Sequence, residues 1–136
     1  MDFVGKKIDL DYLVGAAEIA QRLNVKRPHL IHDWRRRYPE FPKPIVELTG
    51  ILLWDWRDVE RWAKATARVD SARTALDNSE RDFIRISALV RQKLAPVAQL
   101  DATTAVRDGN AARLRDAQAQ LDLLQAGSRS EDIAQA

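Results

Sequence analysis

The residues best equipped for chemistry lie together between Lys26 and Lys43, in KRPHLIHDWRRRYPEFPK. Six are basic (Lys26, Arg27, Arg35, Arg36, Arg37, Lys43) and two are acidic (Asp33, Glu40). Guanidinium and ammonium groups at this density suit phosphate oxygens, and Arg can also grip a guanine edge through two hydrogen bonds. His29 and His32 stand three apart and would share one helix face. They sit among arginines and have no evident third ligand, so they make a poor metal site. Neither is paired with a nucleophile. The five glycines are scattered and form no phosphate-binding loop, and there is no cysteine to serve as nucleophile, disulfide partner or thiolate ligand. The expectation is a binding surface for a polyanion. No catalytic residue, metal, cofactor or small-molecule substrate is expected, and the chain is not read as an enzyme.

Such a surface needs a frame. Pro28 has a preset φ and no N–H, which suits the start of a helix, and Pro39 and Pro42 stop it after Arg37. The helix is about ten residues, roughly 15 Å long. At 100° per residue Leu30, Trp34 and Tyr38 fall together, with Ile31 beside them. His29, His32 and Arg36 fall opposite, flanked by Asp33 and Arg35. A helix of this kind fits a DNA major groove, about 12 Å wide. A solvated amphipathic helix, charged only for solubility, is the alternative.

Upstream, Ala16–Leu23 (AAEIAQRL) consists of strong helix formers with Ile19 and Leu23 four apart. Asn24 tolerates the left-handed conformation that ends helices. Two short helices joined by a tight turn make a helix-turn-helix. Residues 1–13 read as a lead-in, with Phe3, Ile8, Leu10 and Leu13 available to pack onto the domain. Downstream, Ile45–Leu48 and Ile51–Trp54 favour strands, and Thr49-Gly50 between them suits a hairpin turn. Asp55 is placed to cap a following helix, with Asp58 three residues on. Val59 and Trp62, with Trp56 just upstream, would close the core.

Residues 13–63 resemble the MerR-type winged helix of the excisionase and AlpA-like families. The resemblance rests on Ala17-Glu18-Ile19-Ala20 and Leu23, on Val25 with Arg27, and on Trp34. It continues through Phe41-Pro42-Lys43-Pro44, Gly50, Trp54 and Asp58-Val59-Glu60-Arg61-Trp62. It implies that the second helix contacts the major groove and that the wing contacts backbone or the minor groove. It would make Lys26, Arg27, His29, His32, Arg35 and Arg36 DNA contacts; Arg37 and Lys43 join them on charge. The wing, ELTGILLW, has neither Arg nor Lys at its tip and is apolar enough to pack on a partner subunit instead.

From Asp58 to Ala95 there is no glycine or proline. One heptad row runs Trp62, Val69, Leu76, Phe83, Val90, Val97. The other runs Ala65, Ala72, Ser79, Ile86, Lys93, Leu100 and is mostly small. This is a coiled-coil seam. Val69, Leu76, Phe83, Ile86 and Val90 are the expected self-association residues. After Pro96 the register changes to Leu114, Ala117, Leu121 and Leu124, with Val106 and Asn110 upstream. That leaves two possibilities, a second helix folding back as a hairpin or one kinked helix, with Gly109-Asn110 a rival breakpoint.

The expected fold class is mainly α. A winged helix-turn-helix with a small β-hairpin would occupy residues 1–62. A coiled-coil oligomerisation region of a long and a shorter helix would occupy 63–126, and a disordered tail 127–136. The net charge of +2 is mild, and each half of the chain is nearly balanced, so only the local cluster is informative. With no run of apolar residues suited to a signal peptide or a bilayer span, the expected location is the cytoplasm. The expected function is sequence-specific binding of double-stranded DNA by a homodimer or higher homo-oligomer, as a transcriptional regulator or excisionase-like factor. A DNA-recognition component of an assembly, such as a phage small terminase subunit or plasmid partition adaptor, is the alternative. A protein–protein module that has lost DNA binding is a third reading.

Overall fold

The computed structural model describes the backbone of residues 8–135 and the side chains of residues 8–125. Phe3 lies outside the described residues. The chain forms two compact units, Met1–Lys64 with Asp122–Ala136, and Ala65–Leu121.

In the first unit a 3-10 turn, Leu10–Tyr12, leads into β1 (Leu13–Val14), α1 (Ala16–Arg22) and α2 (His29–Arg37). Then come β2 (Val46–Leu48), β3 (Ile51–Asp55) and the start of α3 (Trp56–Arg91). The strands form an antiparallel sheet in the order β1-β3-β2, with Val14 opposite Trp54 and Leu48 opposite Ile51. Gly50 holds φ +75°, as the turn between β2 and β3 requires. β1 is an addition to the expected lead-in; two residues carry no readable period. α1 ends as Asn24 implies. Asn24 has φ 58°, its N–H bonds the Gln21 carbonyl, and the Val25 N–H reaches the Ala20 carbonyl at 2.8 Å. That pair of bonds is a Schellman motif.

The core of this unit is aromatic. Trp54 is wholly buried, and Phe41 stands edge-on both to it and to Trp62, the latter with centroids 4.9 Å apart. Trp34 and Tyr38 lean on Trp62 at 5.5 and 5.8 Å. Ile31, beside the expected stripe of α2, is the residue of that helix buried completely, along with Ile19 of α1 and Val59 of α3. Trp56 is only half-buried and lies under the Arg22 guanidinium, so it caps the core from outside. Asp55 caps α3 as expected: its Oδ1 accepts the Arg57 N–H at 2.9 Å. Side-chain hydrogen bonds from Arg57 hold its carboxyl below the usual Asp range. Arg57 in turn lies over the Tyr12 ring, tying the chain before β1 to the start of α3.

The second unit is a helical hairpin made by the later part of α3 and the earlier part of α4 (Val97–Gln135). α3 ends four residues before Ala95, and the chain folds back through residues 92–96. The stop is again a Schellman motif, with Lys93 N–H on the Val90 carbonyl and Leu94 N–H on the Leu89 carbonyl. Lys93 therefore occupies the left-handed region, φ 59°, where glycine is at home. Lys93→Gly is expected to stabilise the closed hairpin by about 1 kcal/mol, read from urea unfolding. An unchanged or lower midpoint would show that the position carries no strain.

From Val69 onward both heptad rows of α3 face α4. Val69, Ser79 and Ile86 are buried, while Leu76, Phe83 and Val90 are half-buried. On α4 Ala117 and Leu121 are buried and Leu114 half-buried. Val106 departs from the expected stripe. It is exposed, and the inward place at that turn belongs to Arg107, whose guanidinium lies 3.9 Å from the Phe83 ring centroid. Gly109 breaks nothing: α4 runs through it for 39 residues, against 36 in α3, so the second helix is not the shorter one. A single glycine costs a helix only about 1 kcal/mol, and Ala105, Arg107, Ala111, Ala112 and Arg113 around it are good formers. Helical backbone continues to Gln135, through residues 127–135 where the composition leads to an expectation of disorder.

Candidate functional site

Lys26, Arg27, His29, His32, Arg35, Arg36, Arg37 and Lys43 are all exposed on the first unit. α2 carries five of them, pinned from beneath by Ile31 and the aromatic cluster. The fold also brings acids to this surface. Arg35 Nη2 lies 3.5 Å from Glu47 of β2, twelve positions away in sequence, and Arg36 is paired with Asp33 one turn back. These pairs place negative charge among the cations, so the field there is weaker than a count of basic residues suggests. The His32 ring stands 6.2 Å from that of Trp54, and His29 opens the helix. Among the described residues no group of three His, Asp or Glu side chains could hold a metal ion.

The second unit offers different geometry. A groove of about 590 Å³ runs along one side of the hairpin, floored by Ala72, Ala75 and Ala117 and walled by Arg68, Arg113 and Asp116. At its centre the Asn110 amide donates to the buried Ser79 Oγ at 3.1 Å and to the Ala75 carbonyl at 3.2 Å. The Ser79 hydroxyl lies within donating distance of the Leu76 and Ala75 carbonyls, 2.9 and 3.0 Å away. Arg68 donates to Gln120 at 3.3 Å farther along. With the Phe83–Arg107 contact, these pairs place the helices antiparallel in one register. The residue numbers of each pair sum to between 185 and 190.

A polar pair inside an apolar seam fixes register, because sliding by one heptad leaves its donors unmatched. Asn110→Ala is expected to cost about 1–2 kcal/mol in urea unfolding. Ser79→Ala should cost less, since Asn110 keeps its bond to the Ala75 carbonyl. Equal losses would mean that the pair acts as one unit. The pair was within reach of the sequence as a Ser in the small row and an Asn upstream of the α4 stripe. What the sequence lacks is the offset that joins them.

Large apolar side chains also lie exposed on the distal half of the hairpin. Ile84 is 67 %, Leu94 70 %, Val97 63 % and Val106 57 % accessible. By contrast, of the expected self-association set, Val69 and Ile86 are buried and Leu76, Phe83 and Val90 half-buried within a single chain. Among the described residues no helix is long and apolar enough to cross a membrane.

A family model for the YBHG alpha-helical hairpin domain matches residues 49–136, well over half of the chain. No curated protein and no solved structure matches it. The family match overturns the resemblance to the MerR-type winged helix of the excisionase and AlpA-like families. It begins at Thr49, inside the β2–β3 turn, so it takes in the supposed wing tip, closing helix and coiled coil together. The expected function falls with it, both as a sequence-specific DNA-binding regulator or excisionase-like factor and as a DNA-recognition component of an assembly. The match is to a helical hairpin, and nothing found supports DNA binding or transcription regulation. Physically, the motifs behind the resemblance are the ordinary ones of two short helices and a β-hairpin around aromatic residues.

Proposed function

Because the chain belongs to the YBHG alpha-helical hairpin domain family, we propose that it is a binding module rather than an enzyme, and that it self-associates through its hairpin. The observation that carries this reading is the exposure of Ile84, Leu94, Val97 and Val106 on the distal half of the hairpin. Two helices bury one stripe each, and large aliphatic side chains outside the stripe remain in water. Covering such a side chain contributes roughly 1.5–3 kcal/mol. The charged residues nearby fit a surface of this kind. Arg85 pairs with Asp82 at 3.4 Å, a solvent-exposed link that contributes little to stability, and Arg107, leaning on Phe83, reaches the exposed Asp108 at 3.2 Å.

Sedimentation velocity of the full chain tests the reading. The wild-type protein should form a dimer or larger species whose population rises with concentration. Leu94→Glu combined with Val97→Glu should shift it to monomer while leaving helicity unchanged. A double variant that associates like wild type would remove the distal hairpin from the interface.

A further inference from the structure

We propose that the chain dimerises by exchanging α4, so that the α4 of one copy lies against the α3 of the other. The proposal rests on the self-association reading above and specifies how it is achieved. The turn closing the hairpin is short and strained: Lys93 is a non-glycine residue at φ 59°. Short strained hinges favour exchange between copies, because opening relieves the strain while the contacts of the exchanged element are made again in the partner. Those contacts suit exchange. The cross-helix pairs Arg68–Gln120, Ser79–Asn110 and Phe83–Arg107 lie on one antiparallel register, so another copy's α4 satisfies them without repacking. Pro96 biases Ala95 toward extended backbone, the conformation an opened hinge needs. Leu94 and Val97, exposed in the closed chain, flank the hinge. In the exchanged dimer the two hinges pass each other at the two-fold axis, where these side chains meet their symmetry mates. The expected association residues Val69, Leu76, Phe83, Ile86 and Val90 would then lie in a contact between two chains.

The chain has no cysteine, so a cysteine pair reports the exchange directly. Ala72→Cys and Ala117→Cys would be placed together in the full chain, at two positions on the floor of the same groove. The dimer fraction would be isolated, oxidised and run on a denaturing gel without reductant. Exchange predicts a covalent dimer. Internally closed monomers from that fraction would overturn exchange while leaving self-association standing. The absence of any dimer fraction in wild-type protein would overturn both. Lys93→Gly gives a second readout that needs no disulfide. Removing about 1 kcal/mol of strain favours the closed form by about fivefold per hinge, so the dimer dissociation constant should rise about thirtyfold for two hinges. An unchanged constant would contradict the proposal.

Discussion

Trp54→Ala is expected to lower the stability of the first unit by about 3–5 kcal/mol, the range for large aromatic side chains removed from cores. Trp54 is 0 % exposed and joins three parts of that unit. Its strand β3 pairs with both β1 and β2, its ring meets Phe41 edge-on, and its Nε1–H donates to the Pro42 carbonyl at 3.1 Å. Truncation leaves both a cavity and a carbonyl without its donor, and the two costs add. Urea unfolding followed by far-ultraviolet circular dichroism avoids the change in tryptophan signal. Trp54→Phe should recover part of the loss, since it restores ring volume but not the donor. A loss below about 1 kcal/mol for Trp54→Ala would mean that the aromatic cluster does not hold the unit together.

The second large effect belongs to the hairpin. Ile86→Asp is expected to cost about 3–5 kcal/mol and to reduce helicity, because a carboxylate would replace a side chain 3 % exposed in the seam. Phe83→Asp is the weaker test. Phe83 is half-buried and Arg107 already lies against its ring, so an aspartate there would acquire a cation as partner. The expected order is therefore Ile86→Asp more damaging than Phe83→Asp, measured as the loss of helical signal on heating. The reverse order would place Phe83 deeper in the seam than the geometry does.

Much of the fold was legible where local chemistry decides it. Asn24 and Gly50 mark turns because few residues accept positive φ, and the heptad rows of α3 mark a buried face. What the rows cannot disclose is whose helix covers them, since a seam reads the same for a second copy and for a returning segment. The fold-back was ambiguous because its pivot is Lys93, a residue with no left-handed preference to announce it. Nine residues of α2 give a coarse wheel, on which Ile31 lies beside the aromatic stripe and does not stand out as the most buried side chain of the helix. The basic residues of α2 are exposed, and exposure alone does not establish a role. Glu47 reaches Arg35 from another strand, and no short-range spacing rule reveals such a pair. A cluster rich in arginine has the same sequence whether it awaits phosphate or meets acids supplied by its own fold.

The fold-back at residues 92–96 underlies the seam, the Ser79–Asn110 pair and the proposed exchange. Electron–electron double resonance between nitroxide labels at Glu80→Cys and Asp108→Cys tests it most directly. Those positions lie level on the antiparallel register, with helix axes about 8–10 Å apart. On one continuous helix they would be separated by about 42 Å of rise. A short-distance component, well under half of that span, is expected, because the two positions meet in both the closed and the exchanged hairpin. A distribution centred near about 42 Å with no short component would contradict the hairpin.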